Sequence, residues 1–159
     1  MRANRGFTLV EILIVVVILG ILAAIVIPQF TEASTEAKLS SLCSDLQTVR
    51  SQIELYKIQH NDVIPVPEGA TWNLMTMYTD ISGTTRATKD AATGFVYGPY
   101  LQKVPTNQFN DLSTIRVEAA TTAGADTHGW TFNSTTGAFH ADDDYDQNRD
   151  GTGGDHAAL

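Results

Sequence analysis

Phe7-Thr8-Leu9-Val10-Glu11, followed by Ile12 to Ile27 without one polar side chain, is the stretch that decides how this 159-residue chain is built. From Phe7 to Ile27 there are 21 residues. As a helix they rise about 30 Å, the thickness of a bilayer core. The Val and Ile content favours a strand in water. In lipid an isolated strand leaves its backbone groups unpaired, so the sequence predicts a membrane-crossing helix. Arg2 and Arg5 precede the span, whereas Glu32, Glu36 and Lys38 after it carry no basic excess. The positive-inside rule therefore places the N-terminus in the cytoplasm and the remainder across the membrane. An ordinary secretory signal peptide would stop at small residues. Here the run passes through Ala23-Ala24, continues as Ile25-Val26-Ile27 and leads into an amphipathic helix.

Glu11 stands alone at the mouth of this span. A carboxylate in a membrane helix costs roughly 2.5–3.5 kcal/mol at the centre and less near an end. One reading puts Glu11 in the interface, in the first turn, where the helix dipole favours an anion. The other pairs it with a cation supplied by another subunit. Spacing alone leaves both open.

Beyond the span, residues 30–60 read as one long helix. Leu39, Leu42, Leu46, Val49, Ile53 and Tyr56 recur at three-four spacing, the stripe of a helix with one buried face. Ser40, Ser41, Asp45, Gln47, Arg50, Gln52 and Lys57 lie between them. Asn61-Asp62, then Pro65 and Pro67, end the pattern. Pro28, inside this length, removes a helix hydrogen bond and predicts a kink at the membrane surface.

The rest is polar and broken by turns. Trp72 to Tyr78 predicts a second short helix, Ser82 to Gly94 a loop, and Ile115-Arg116-Val117 a strand. Trp130-Thr131-Phe132 and Ala138-Phe139-His140 flank Asn133-Ser134-Thr135-Thr136-Gly137, a hairpin signal. Asn133-Ser134-Thr135 also has the form of a glycosylation sequon, and reads equally well as a turn. The expected fold class is α+β: a long N-terminal helix, half transmembrane and half amphipathic, packed on a small antiparallel sheet.

Composition narrows the function. The 43% hydrophobic content is densest in the first thirty residues, and the formal charge is −8. Without Arg2 and Arg5, eight basic and eighteen acidic side chains leave −10. An acidic surface argues against general nucleic-acid binding. The single Cys43 cannot close an intrachain disulfide. No G-x-S-x-G, H-E-x-x-H, C-x-x-C or P-loop pattern is present, so the chain is expected not to be an enzyme.

The run from Asp142 to Gly151 is the second chemical signal. Asp146, Asn148 and Asp150 followed by Gly151 match the first half of a calcium loop, D-x-[DN]-x-[DN]-G. Alternating oxygens converge on one ion, and the glycine permits the sharp turn. The closing Glu is replaced by Ala157, with Asp144 or Asp155 available to complete the shell. A solvated acidic tail is the competing reading. His140 and His156 flank the run, but hard oxygen donors favour Ca2+ over a transition metal.

Arg5-Gly6-Phe7-Thr8-Leu9-Val10-Glu11, the apolar run and Pro28 closely resemble the type IV pilin and pseudopilin signature. The resemblance implies a leader over residues 1–6, a filament-core helix over 7–29, and a periplasmic pilin-like domain over 30–159. It implies cleavage between Gly6 and Phe7 by a prepilin peptidase that also methylates Phe7. It makes Glu11 the assembly carboxylate that neutralises the Phe7 amine of a neighbouring subunit, with Pro28 in a region that partly melts on packing. Ser44-Asp45-Leu46 through Glu54-Leu55-Tyr56-Lys57, with Tyr100-Leu101-Gln102-Lys103-Val104-Pro105, is similar to the major pseudopilin of type II secretion systems. The chain departs from that family at Gln108-Phe109, where Pro-Trp is usual. The family also uses a C-terminal calcium site.

The implied function is a homo-oligomeric helical filament that drives protein export. Its implied partners are an inner-membrane assembly platform and minor pilins or pseudopilins. The alternative from the same superfamily is a type IV pilus subunit for adhesion, motility or DNA uptake. A membrane-tethered enzyme on a pilin-like anchor is disfavoured by the missing catalytic constellation.

Overall fold

In the computed structural model, residues 8–69, 71–119, 126–143 and His156 are described. Helix α1 spans Leu9–Gln59 and runs through Pro28. A short helix α2 follows at Asn73–Thr76. Among the described residues the strands are β1 (Tyr78–Thr79), β2 (Thr85–Arg86), β3 (Ile115–Glu118), β4 (Trp130–Asn133) and β5 (Phe139–Ala141). The chain divides into two compact units, Met1–Leu39 and Ser40–Leu159.

Within the first unit, every large apolar side chain of α1 from Leu9 to Ile27 is exposed. Among the described residues nothing covers this surface, and it is apolar on all sides. A helix that is hydrophobic all round needs lipid or other helices around it. Pro28 has no N–H to give to the turn before it. Two hydroxyls just beyond it turn inward on the same helix. Thr31 Oγ1 donates to the Ile27 carbonyl at 3.1 Å, and Thr35 Oγ1 to the Thr31 carbonyl at 3.1 Å.

In the second unit, the α1 stripe is the spine of the core. Leu42, Leu46, Val49, Ile53 and Tyr56 are buried, while Leu39 is only half-buried. They share one hydrophobic cluster with Trp72, Met75, Trp130, Phe132 and Phe139. Asn61 and Asp62, at φ 54° and 63°, take the left-handed conformation that stops the helix.

The principal sheet has the order β3-β4-β5. The hairpin β4–β5 is antiparallel, with Trp130 opposite Ala141 and Phe132 opposite Phe139. Strand β3 pairs parallel to β4, with Ile115 opposite Trp130. The sheet is therefore mixed, where the hairpin signal alone suggested an antiparallel one. The register places Ile115, Trp130, Phe132, Phe139 and Ala141 on one face, which is buried. A separate antiparallel pair joins β1, which takes Tyr78 from the end of the expected second helix, to β2, inside the Ser82 to Gly94 stretch expected to be a loop.

Candidate functional site

The start of α1 is built from the sequence Thr8-Leu9-Val10-Glu11. Thr8 sits just before the first helical residue, in the N-cap position, and Glu11 is the third residue inside. The Thr8 amide donates to Glu11 Oε2 at 2.8 Å, and the Thr8 hydroxyl donates to the same oxygen at 2.8 Å. The Glu11 amide in turn donates to Thr8 Oγ1 at 3.3 Å. This is a capping box, in which two helix-end donors are satisfied reciprocally. All three contacts leave Glu11 Oε1 without a hydrogen-bond partner among the described residues. The carboxylate is thus fixed in direction, exposed, and has one oxygen open to an outside donor. Gly6 and Phe7, the expected processing residues, lie outside the described residues.

The acidic C-terminal run divides in two. Asp142 and Asp143 are buried, at 0% and 1% exposure. Asp142 forms an ion pair with Arg116, accepts the Thr131 hydroxyl at 3.1 Å, and accepts the His128 amide at 3.1 Å. Asp143 accepts Asn107 Nδ2 at 2.6 Å and pairs with His156 Nδ1 at 2.7 Å. The His156 ring lies against Phe109, with centroids 4.2 Å apart. These two carboxylates are therefore internal struts, neither solvated nor free to hold an ion. The expected metal ligands Asp144, Asp146, Asn148, Asp150 and Asp155 all lie outside the described residues. Among the described residues no three His, Cys, Asp or Glu side chains converge as a metal site. The chemistry of the predicted donor set, carboxylate and amide oxygens, remains that of a hard cation.

The sequon-like Asn133 is a turn residue. Its Oδ1 accepts the amides of Thr135 and Thr136 at 2.9 Å each, and Gly137 follows at φ 77°. Cys43 is free and exposed on α1.

Two parts of this arrangement were not anticipated from the sequence. Thr8 as the partner of Glu11 was readable, because T-x-x-E ahead of an apolar run is a capping-box signature. The hub around Asn107, Arg116, Asp142, Asp143 and His156 had no local signal, because its members are far apart in sequence.

Residues 1–27 match the prokaryotic N-terminal methylation motif. The chain is 42% identical over 59 residues to the type II secretion system core protein G of Pseudomonas aeruginosa, covering 37% of this chain and 42% of that one. It is 30% identical over 105 residues to the core protein G of Vibrio cholerae, covering 66% and 65%. It is 34% identical over 64 residues to a fimbrial protein of P. aeruginosa, covering 40% and 42%. No solved structure matches. The first of these alignments spans about two fifths of its relative, and even the longest spans less than two thirds. The methylation motif, the long apolar-to-amphipathic helix and these relatives support placement in the type IV pilin superfamily, with a likeness to the type II secretion core protein G.

Proposed function

We propose that this chain is a structural subunit that polymerises through the Leu9–Ile27 segment of α1 into the pseudopilus of a type II secretion system. The observation that carries the reading is the joint state of that segment: its apolar surface is exposed throughout, and the one carboxylate at its mouth is held by Thr8 with an oxygen to spare. In this reading a prepilin peptidase cuts between Gly6 and Phe7 and methylates Phe7. The new Phe7 amine of one subunit meets Glu11 of its neighbour, so the buried carboxylate is neutralised inside the filament. Before assembly the helix spans the inner membrane, N-terminus in the cytoplasm and the domain in the periplasm. An assembly platform and minor pseudopilins complete the partner set. The chain acts by assembly and performs no catalysis.

Calcium belongs to the same proposal. The Asp144, Asp146, Asn148, Asp150 and Asp155 oxygens would hold the ion beside the Asp142–Asp143 struts, and the ion would stabilise that end of the domain. Calorimetric titration of the full-length protein in detergent, with a melting curve at each calcium level, tests it. Tight binding with a rise in Tm is the expected result; no binding removes the ion-holding role from Asp144, Asp146, Asn148, Asp150 and Asp155.

The assembly role is tested by Glu11→Ala. The variant is expected to be cleaved normally and to form no filaments. Normal filaments from it would remove Glu11 from the assembly mechanism. The alternative type IV pilus reading draws support from the fimbrial relative. It predicts surface filaments and unimpaired export in a strain lacking the chain, whereas the secretion reading predicts loss of export.

A further inference from the structure

The apolar surface of α1 has a specific end. From Leu9 to Ile27 the large apolar side chains are exposed without interruption; the next exposed one on α1 is Phe30, at 73%, and none follows until Leu55. Glu32 comes two residues after Phe30. Resting on the membrane reading above, we infer that Phe30 is the lipid-facing boundary residue of the span, and that the outer water boundary crosses the helix between Phe30 and Glu32.

Three physical arguments converge on this position. Helical side chains lean toward the helix N-terminus, so the Phe30 ring covers the turn before it, beside Ile27 and Pro28. It thereby extends the apolar band back toward the bilayer. The Glu32 carboxylate leans the same way and must stay in water, which confines the boundary to a rise of about 3 Å.

The two hydroxyls at the crossing are satisfied inside the helix, whereas the exposed Gln29 amide, one residue before Phe30, needs the headgroup level for its partners. Thr31 Oγ1 is bound to the Ile27 carbonyl and Thr35 Oγ1 to the Thr31 carbonyl, and Pro28 brings no N–H. The Thr31 and Thr35 hydroxyls can therefore enter the headgroup region without an orphaned donor, and Gln29 finds its partners among headgroups and water. At the opposite mouth the Thr8–Glu11 box satisfies two of the helix-end amides, those of Thr8 and Glu11.

Length agrees. Glu11 to Phe30 is nineteen steps, or about 28 Å of helix, against a hydrocarbon core of about 30 Å. The partner is the edge of the acyl-chain region of a lipid bilayer. A neighbouring protein helix would not require an aromatic residue at the one level where the water boundary falls.

The test uses the full chain with Cys43→Ser, reconstituted in vesicles of zwitterionic and anionic phospholipid. Single-cysteine spin labels at Ile21, Phe30 and Ser34 are read by accessibility to oxygen and to a water-soluble nickel chelate. The label at Ile21 is expected near the midplane, that at Phe30 about 15 Å from it, and that at Ser34 in water. Water exposure at Ile21 would overturn the membrane reading itself. Burial at Ile21 with full water exposure at Phe30 would overturn only the boundary. Because labelling removes Phe30, the Ile21 depth is also measured beside Phe30→Trp and Phe30→Ala. Trp is expected to keep the depth and Ala to displace it by one residue rise or more, about 1.5 Å. An unchanged depth in Phe30→Ala would reject the anchoring role.

Discussion

Thr8 and Glu11 hold one another at the first turn of α1, the Thr8 amide and hydroxyl both bound to one carboxylate oxygen at 2.8 Å. In the proposed filament the relationship would join local helix chemistry to assembly. A free carboxylate at this depth would sample several rotamers, and each docking subunit would have to order it. Held by Thr8, it is ordered before the partner arrives.

Thr8→Val keeps the size of the side chain and removes the hydroxyl. Losing an N-cap costs about 1 kcal/mol, or about a fivefold change in an equilibrium. Amide exchange of the first α1 turn in detergent micelles is expected to rise by that factor, and filament yield to fall without vanishing. Thr8→Ser should restore both. Filament yield in Thr8→Val equal to the parent would show that Glu11 needs no positioning.

Asp142 is the strut of the second unit, joining β3 through Arg116, β4 through Thr131 and the turn before β4 through His128. Removing one partner of a buried pair costs about 3–5 kcal/mol, an upper bound here because Arg116 keeps Glu118 as a second partner. Asp142→Ala is expected to lower stability by up to this amount in urea denaturation. Arg116→Met is expected to cost less in the Asp142→Ala background than in the parent, because its Asp142 partner is already gone. An equal cost of Arg116→Met in the two backgrounds would show that the pair is not a unit.

The contrast between these two sites explains what the sequence could disclose. The Leu42, Leu46, Val49, Ile53, Tyr56 stripe was legible because a helix repeats every 3.6 residues, and burial follows that period. The β4–β5 hairpin was legible because Asn133 and Gly137 carry turn chemistry within five residues. The parallel pairing of β3 with β4 was not, because alternation in Ile115-Arg116-Val117 says nothing about direction or partner. Asp142 and Asp143 were misleading for the same reason. They open an acidic run that composition assigns to solvent, while their partners Arg116, Asn107 and His156 lie 13 to 36 residues away. The apolar span was legible as a long helix because its polarity is set by consecutive residues, while spacing alone left the role of Glu11 open.

Gly129 was not singled out by any motif, yet it is where the backbone leaves no room. A Cβ there would lie 2.1 Å from the Leu112 carbonyl oxygen. The Gly129 amide donates to the Thr114 carbonyl at 3.0 Å, and its carbonyl accepts Asn107 Nδ2 at 3.0 Å, so neither segment can move aside without losing these bonds. Gly129→Ala is expected to destabilise by about 1–3 kcal/mol, as overpacking does. The control is Gly20→Ala in α1, where an added Cβ meets nothing within 4 Å. Thermal melting in detergent compares the two; a Gly129→Ala Tm equal to that of Gly20→Ala would show that the Leu112 turn yields freely.

Tyr100 makes the second unit sensitive to alkali. Its hydroxyl donates to Gln59 Oε1 at 2.6 Å, tying the segment after β2 to the end of α1. Burial pushes the phenol up to about 12, with Tyr56 and Tyr97 adding in the same direction and the Thr79 hydroxyl opposing. Burial raises Tyr56 as well, with Asp80 assisting. In the unfolded chain a tyrosine ionises near its ordinary value of 10.0. Above that pH the unfolded state has released protons that the folded state still holds, so stability falls as pH rises. The stabilising contribution is complete below about pH 10 and is lost as pH approaches about 12. Urea midpoints measured across this window should fall steeply in the parent chain. In Tyr100→Phe the neutral-pH midpoint should drop by the value of one hydrogen bond, about 1 kcal/mol. Its alkaline decline should be shallower, with Tyr56 supplying what remains. Parallel declines in the two chains would place the alkaline transition elsewhere in the protein.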